Sequence, residues 1–496
     1  MKRSFRRTLE AAFALLALAA STSAASAAVY IPTKTADTAD GACDSDCSLR
    51  EAILAANAHS GDDVILLHAG TYVLSIAGNE DAGAAGDLDI QDDLVILGDG
   101  AARTIIDGGG IDRIFQVPGG VTAEIRDVTL RNGRAPGAGG AILNNGDLTI
   151  LRCVLSGNHS VAGSAGAGFG GALVTDGLNS SLTLTGSTVA SNTAQGGGGG
   201  IAAGGETTLA NVTITGNQSQ TDFGGGLYVF SDAHATVNNA TIASNTAALK
   251  GGGAFLESSA FIGTSPKITN SVLAGNTAGS EPDCSGPIDS GYDLLGNGAG
   301  CVGPSAAKHD IVGTPDAMLG PLAENGGPTP TRILLPGSPA LDTGNPAAPG
   351  SGGGACEATD QRGAARPGGP RCDIGAFEVT TACVPGGSTL CLNNGRFKVT
   401  ATFQTGGTTS PAQGVTLTGD SGYFWFFAPD NVELTVKVLN GCPVNSRYWF
   451  FASGLTNLRV DLTVTDTKTG TVKTYFNPQN RVFRSILDTG AFATCP

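Results

Sequence analysis

Four carboxylates, Asp87, Asp89, Asp92 and Asp93, crowd one short stretch of this chain, and three arginines, Arg126, Arg131 and Arg134, follow downstream. These are residue types with which an enzyme opens an acidic polysaccharide. A lyase needs a basic side chain to take a proton and a cation, often calcium on outward carboxylates, to neutralise the uronate. Leu88 and Ile90 alternate with the first two aspartates, so a strand here turns Asp87 and Asp89 outward together. The simpler assignment is a solvated strand face. Hydrolysis would instead need two carboxyls roughly 5–10 Å apart on adjacent elements, and order along the chain does not define such a pair. Residues 160–249 hold no Lys or Arg, poor equipment for gripping an acidic glycan.

Other motifs carry less. Asp342-Thr343-Gly344 and Asp488-Thr489-Gly490 have the form of aspartic-protease loops, but too few residues follow the second to complete a lobe. Gly419-Asp420-Ser421-Gly422 has the form of a serine nucleophile loop. A triad also needs a histidine base, and every histidine lies at or before His309. Zinc on Cys43 and Cys47 would need two further ligands, and only His59 and His68 are near. No catalytic, cofactor-binding or metal residue is therefore assigned.

Any such side chain would be positioned by a repeat. Glycine runs lead into an apolar residue at Ile142, Leu173, Ile201, Leu227 and Phe255, at intervals of 26 to 31 residues. Each unit then carries an apolar-x-x-Asn mark, ending at Asn158, Asn192, Asn217, Asn245 and Asn276. Between the marks lie alternating runs such as Leu182-Thr183-Leu184-Thr185, the period of half-buried strands. One unit cannot bury its own apolar face, and stacked units can. The pattern predicts an all-β parallel β-helix over residues 28–325, with glycine corners at φ above zero and asparagines bonded from coil to coil. Gly171 is taken as one such corner. Upstream, Ser48 and Glu51 form a capping-box pair before Leu49, Ala52, Ile53 and Ala56, predicting a helix over 48–59 that lids the first coil.

Three stretches resemble known families. Cys47-Ser48-Leu49-Arg50-Glu51-Ala52-Ile53 resembles the CSLREAI domain of secreted bacterial proteins. The repeat marks resemble those of polymorphic outer membrane proteins, which are surface adhesins. Gly337 to Gly344, Thr359 to Gly363 and Cys372 to Glu378 resemble the choice-of-anchor Q segment, here 326–379, that closes such solenoids. The resemblance implies a right-handed, pectin-lyase-like β-helix exported to the cell surface.

Residues 380–496 differ in composition, with both tryptophans and more than half the aromatics. Seven predicted strands, 397–403, 415–418, 423–427, 432–439, 448–451, 459–465 and 472–476, suggest a small β-sandwich. Phe424 to Phe427 and Tyr448 to Phe451 are assigned to its core, with a sugar platform as the sharper alternative. Residues 1–27 read as a secretory leader: a basic start, a short apolar run and Ala25-Ser26-Ala27. Export permits disulfides. Local isolation pairs Cys43 with Cys47, Cys284 with Cys301, and Cys356 with Cys372. Of three connectivities for the last four cysteines, Cys383 with Cys391 and Cys442 with Cys495 is adopted, leaving Cys153 free and buried.

The formal charge of −15 argues against nucleic acid and anionic membrane surfaces. No membrane-spanning segment is expected in the mature chain. The reading is an exported, extracellular or cell-surface β-helix for non-catalytic adhesion or structural display, with surface glycans or proteins as partners and no cofactor. The alternative is a polysaccharide lyase or glycoside hydrolase acting on acidic glycans.

Overall fold

The computed structural model describes residues 27–78, 82–163, 167–257, 265–314, 316–335, 337–379, 383–467 and 471–495. The leader reading rests almost wholly on residues outside these.

Short strands wind into a parallel solenoid of four sheets. The first sheet stacks ten strands from Val29–Tyr30 to Asp289–Gly291, and the second stacks ten from Gly70–Val73 to Ile311–Val312. The third stacks nine from Leu88–Asp89 to Gly300–Val302, and the fourth five from Arg134–Pro136 to Thr246–Ala247. At ~4.8 Å per coil the stack is about 45 Å long.

Alternation fixes what each strand buries. In the first sheet Ile96, Ile125, Ile150, Leu184, Leu209, Val237 and Ile268 stand in one inward column, each fully buried. Truncating one to Ala would cost about 2–5 kcal/mol. In the third sheet Ile142, Leu173, Ile201 and Leu227 form such a column. Its next member is Ala254; Phe255 pairs with Tyr228 and points outward. The repeat mark predicted at Phe255 is therefore off by one, because a small apolar residue precedes it.

The marked asparagines bond from coil to coil between the second and fourth sheets. Asn158 Nδ2 donates to Asn192 Oδ1 at 3.0 Å, Asn192 to Asn217 at 2.9 Å, and Asn217 to Asn245 at 2.9 Å. Asn245 donates to Asn276 at 3.0 Å, and Asn276 ends the ladder on Asp283 Oδ1 at 2.9 Å. Each acceptor oxygen also takes the preceding asparagine's backbone N–H. The amides thus satisfy turn groups that water cannot reach, each worth about 1–3 kcal/mol if orphaned.

Gly171 proves necessary for a different reason from the one predicted. Gly170 takes the left-handed conformation, at φ +65°. A Cβ on Gly171 would instead collide with the Gly199 carbonyl of the next coil and stand 2.7 Å from Thr193 N.

The helix spans Leu49–Ala58, with Ser48 as N-cap and the capping box formed. Leu49, Ala52, Ile53 and Ala56 seal the first coil's apolar interior. At the other end, residues 317–378 fold back along the second sheet. Ala317, Leu334, Ala340 and Ile374 cover the outward Val272, Ala274 and Leu294.

Residues 389–492 form two five-stranded antiparallel sheets around a shared core that includes Phe397, Val399, Phe424, Val436 and Phe450. The seven predicted strands are present in substance. Thr389–Leu392, Thr408–Pro411 and Ile486–Phe492 are additional. The aromatic clusters do not enter the core whole: Phe424, Phe426, Tyr448 and Phe450 are buried, while Phe427 is 60% exposed. Disulfides join Cys43–Cys47, Cys284–Cys301, Cys356–Cys372, Cys383–Cys391 and Cys442–Cys495. Cys153 is a buried free thiol; burial pushes it up to about 12, so it stays protonated and inert.

Candidate functional site

Strand register distributes the nominated charges over different faces. Arg126 ends a strand of the first sheet, Thr122–Arg126, and pairs with Glu124. Arg131 ends a strand of the second, and Arg134 begins one of the fourth. Asp87 and Asp89 are buried rather than solvated, because Arg113 and the helix lid close over them. Arg113 Nη1 donates to Asp87 Oδ2 at 3.2 Å, and Asn57 donates to the Asp89 carbonyl at 2.7 Å. Burial, against the opposing Arg113 charge, raises the Asp87 carboxyl to about 6. Asp92 and Asp93 belong to the next turn, where Asp93 Oδ1 accepts the Thr122 N–H at 2.7 Å. The acidic stretch is thus not one face. Among the described residues no group of three or more His, Cys, Asp or Glu is placed to hold a metal ion.

Two of the arginines do reach one place. Asp107, Asn132, Arg134 and His159 line a depression of about 450 Å³ walled by Gly109, Gly110, Gly133 and Gly157. Arg131 Nε donates to Asp107 Oδ2 at 2.8 Å, and Asn132 Nδ2 donates to both Asp107 oxygens at 3.0 and 3.1 Å. Burial pushes the Asp107 carboxyl up, but these bonds and the Gly109 N–H outweigh it and hold it low. Arg134 Nη1 lies 3.2 Å from His159 Nδ1. A guanidinium cannot accept, so Nδ1 is the acceptor and the ring proton sits on Nε2, which is enclosed and unpartnered. Burial and then the Arg134 charge lower the His159 pKa, keeping the ring neutral. Sequence reasoning passed over His159; its pairing with Arg134 in the next coil was the missing link.

The charged residues of the resembling motifs are used internally. Arg50 is fully buried and spends its donors on Asp37 at 2.8 and 3.1 Å and on the Gly83, Gly86 and Asp87 carbonyls. Glu51 accepts from Thr38, the Asp40 N–H and the Ser48 N–H. In the fold-back, Arg366 and Glu378 form a fully buried pair at 2.7 Å, and Arg362 lies 3.6 Å over the Phe377 ring. Gln361 bridges two threonines of the coils and one of the fold-back: its Nε2 donates to Thr188 and Thr329, and its Oε1 accepts from Thr213. Asp342 belongs to this packing through its N–H on Asp373 Oδ1 at 2.7 Å, which accounts for the first protease-like motif.

The first sheet presents a different surface. Thr149, Thr183, Thr208 and Thr236 pair in successive coils and form one outward column. Asp147, Ser181, Glu206 and His234 form the exposed or half-exposed column beside it. Neighbouring charges pair between coils, as in Arg152–Asp127 at 2.5 Å and Lys250–Glu281 at 3.1 Å. On the third sheet Tyr228 and Phe255 pack with Phe169, Phe223 and Phe230 into a self-contained aromatic cluster.

The family described as a right-handed beta helix region matches residues 114–299. The solenoid is accordingly a right-handed parallel β-helix, and the chain is all-β with antiparallel sheets at its C-terminal side. No curated protein sequence matches the chain. The crystal structure of pectate lyase Pel9A superposes with a TM-score of 0.36 and 13% identity, covering 71% of this chain and 97% of that one; a likeness of that size carries no argument about activity.

Proposed function

We propose that this is an exported, non-catalytic β-helix protein that displays a rigid polar surface for adhesion or structural contact. The observation that carries the reading is the threonine column on the first sheet, Thr149, Thr183, Thr208 and Thr236. It repeats neutral hydrogen-bonding groups at the coil spacing, and many weak contacts in series bind with avidity no single one has. The pairs Arg50–Asp37, Arg113–Asp87, Arg131–Asp107 and Arg152–Asp127 support the same reading, since these charges are spent on one another. Export is supported by the five disulfides, which persist in oxidising compartments, and no helix among the described residues is long and apolar enough to cross a membrane.

One observation favours a glycan-cleaving alternative: the neutral His159 beside Arg134 in a depression. Incubating the mature protein with pectate, alginate and neutral glycans, with and without calcium, separates the two. The display reading expects no unsaturated uronate and no new reducing ends. Turnover abolished by His159→Ala or Arg134→Ala would establish the enzyme instead.

A further inference from the structure

The whole-chain charge of −15 conceals a division. Residues 380–496 hold nine Lys and Arg against six Asp and Glu, so the excess of acid lies entirely in the rest of the chain. The argument against anionic surfaces therefore applies to the solenoid and not to the sandwich. Strand register brings three loops of the sandwich to one end. Phe424 pairs with Leu434, Leu434 with Gly454, and Ala452 with Ile486, so segments 426–433, 455–458 and 478–485 lie together there. Each carries a large apolar side chain that the core does not take: Phe427, Leu455 at 81% exposure and Val482 at 77%. The core takes Phe426 and Phe483 instead. The Phe483 N–H donates to the Thr456 carbonyl at 3.1 Å, so the exposed tips stand on a fixed base.

A depression of about 840 Å³ opens beside Val482, lined by Phe476, Arg481, Val482, Arg484 and Ile486 among others, and no carboxylate lines it. Phe476 is 69% exposed. The sandwich's ion pairs are Arg396–Asp466, Lys437–Asp420 and Arg459–Asp461. Neither Arg481 nor Arg484 belongs to one among the described residues. A second depression, of about 640 Å³, shares Val482 and is lined by Phe427 and Leu455. Of the acids at this end, Glu433 is buried and accepts from Asn431 at 2.6 Å. Asp461 is spent on Arg459 at 3.0 Å, and Asp430 stands on the loop that carries Phe427.

We propose that this end of the sandwich docks on an anionic lipid bilayer. Phe427, Leu455, Phe476 and Val482 enter the boundary between headgroups and acyl chains, and Arg481 and Arg484 meet the lipid phosphates. That boundary takes apolar groups and cations side by side, and a guanidinium matches a phosphate with two parallel N–H bonds. A soluble polyanion would pair with the arginines but leave four large apolar side chains in water. A second copy would offer its acidic solenoid, whose first-sheet columns are threonine, serine and charged residues, again no partner for apolar tips. Docked on lipid, the sandwich holds the chain to the surface while the same lipid charge repels the acidic solenoid, which then stands away from it. This anchoring does not depend on whether the solenoid binds or cleaves a ligand.

The test is cosedimentation of the whole mature protein with vesicles of phosphatidylcholine alone and of an equal mixture with phosphatidylglycerol. Binding is expected with the mixture, falling steeply with salt, and little with phosphatidylcholine alone. The salt response of the unsubstituted protein tests the claim without any variant. Arg481→Gln with Arg484→Gln should weaken binding at least about tenfold, and Phe476→Ser with Val482→Ser likewise. All four side chains are exposed, so an unchanged melting temperature should show that both variants fold. No binding to the mixture, equal binding to both vesicles, or binding that survives either pair of substitutions would overturn the proposal. Capture of dextran sulfate indifferent to Phe476→Ser with Val482→Ser would overturn it by making the site one for soluble polyanions. Self-association lost in Arg481→Gln would overturn it too, by assigning the arginines to a second copy's acidic solenoid.

Discussion

Arg50 is wholly committed to the fold. Every N–H of its guanidinium has an acceptor, and Asp37 in turn accepts the Ser75 and Ile76 N–H groups at 2.7 and 2.9 Å. One side chain thereby ties the entry loop, the lid helix and the 83–87 turn together. Arg50→Met keeps the volume but strands a buried carboxylate and three carbonyls, so about 3–5 kcal/mol of stability should be lost. Denaturant unfolding checks this, and an unchanged midpoint would contradict it. Asp87, beside that turn, acts in the opposite sense. Its folded pKa is raised from 3.8 to about 6, so the folded state binds its proton more tightly than the unfolded chain does. Its contribution is therefore fully favourable below the unfolded value and is lost as pH rises through the folded one. Asp87→Asn removes that dependence. The variant's melting temperature relative to the parent should climb between pH 4 and pH 7, by the equivalent of about 1–3 kcal/mol. A constant difference across that range would contradict the raised pKa. The resembling motifs were legible at this scale as sequence, and Glu51 as the capping partner of Ser48, but the backbone carbonyls that Arg50 and Arg366 close come from distant loops and were not.

At the scale of the element, alternation and capping were readable and register was not. The Leu49–Ala58 helix is written in Ser48 and Glu51, and the asparagine ladder in the apolar-x-x-Asn marks. Ala254 and Phe255 show the limit. Both follow glycines, and only pairing with Leu227 and Tyr228 decides which faces inward, since a one-residue slip exchanges the faces. The three extra sandwich strands carry weak signals: Thr408–Pro411 ends in proline, and Ile486–Phe492 contains the Asp488-Thr489-Gly490 that mimics a protease loop. The same limit applied to the depression, whose residues come from successive coils and meet only through stacking. Gly171→Val tests coil stacking directly. Its branched side chain meets the next coil's backbone, so at least about 1–3 kcal/mol of overpacking is expected. Gly275→Ala, strained only by its φ of +69° with open space around the added Cβ, should cost about 1–2 kcal/mol. Equal, negligible shifts in melting temperature would remove close stacking as the reason for Gly171.

For the whole molecule, the right-handed solenoid behaves as a stiff rod. Its interior is aliphatic, its turn groups are bonded from coil to coil, its first end is sealed by a helix and its second sheet is partly covered by the chain itself. Charges that suggested catalysis in the sequence serve mainly to hold this rod together, and the first sheet carries one rank of threonine beside the Asp147, Ser181, Glu206 and His234 column. A display surface needs such rigidity and repetition, whereas a catalyst needs a few groups converging on one reacting bond. The depression at Asp107, Arg134 and His159 is where convergence comes nearest. The most direct test is therefore the assay of purified mature protein on pectate, alginate and neutral glycans, with and without calcium, read by unsaturated-uronate absorbance and reducing ends. The account predicts no product with any polymer; product that disappears in His159→Ala or Arg134→Ala would contradict it.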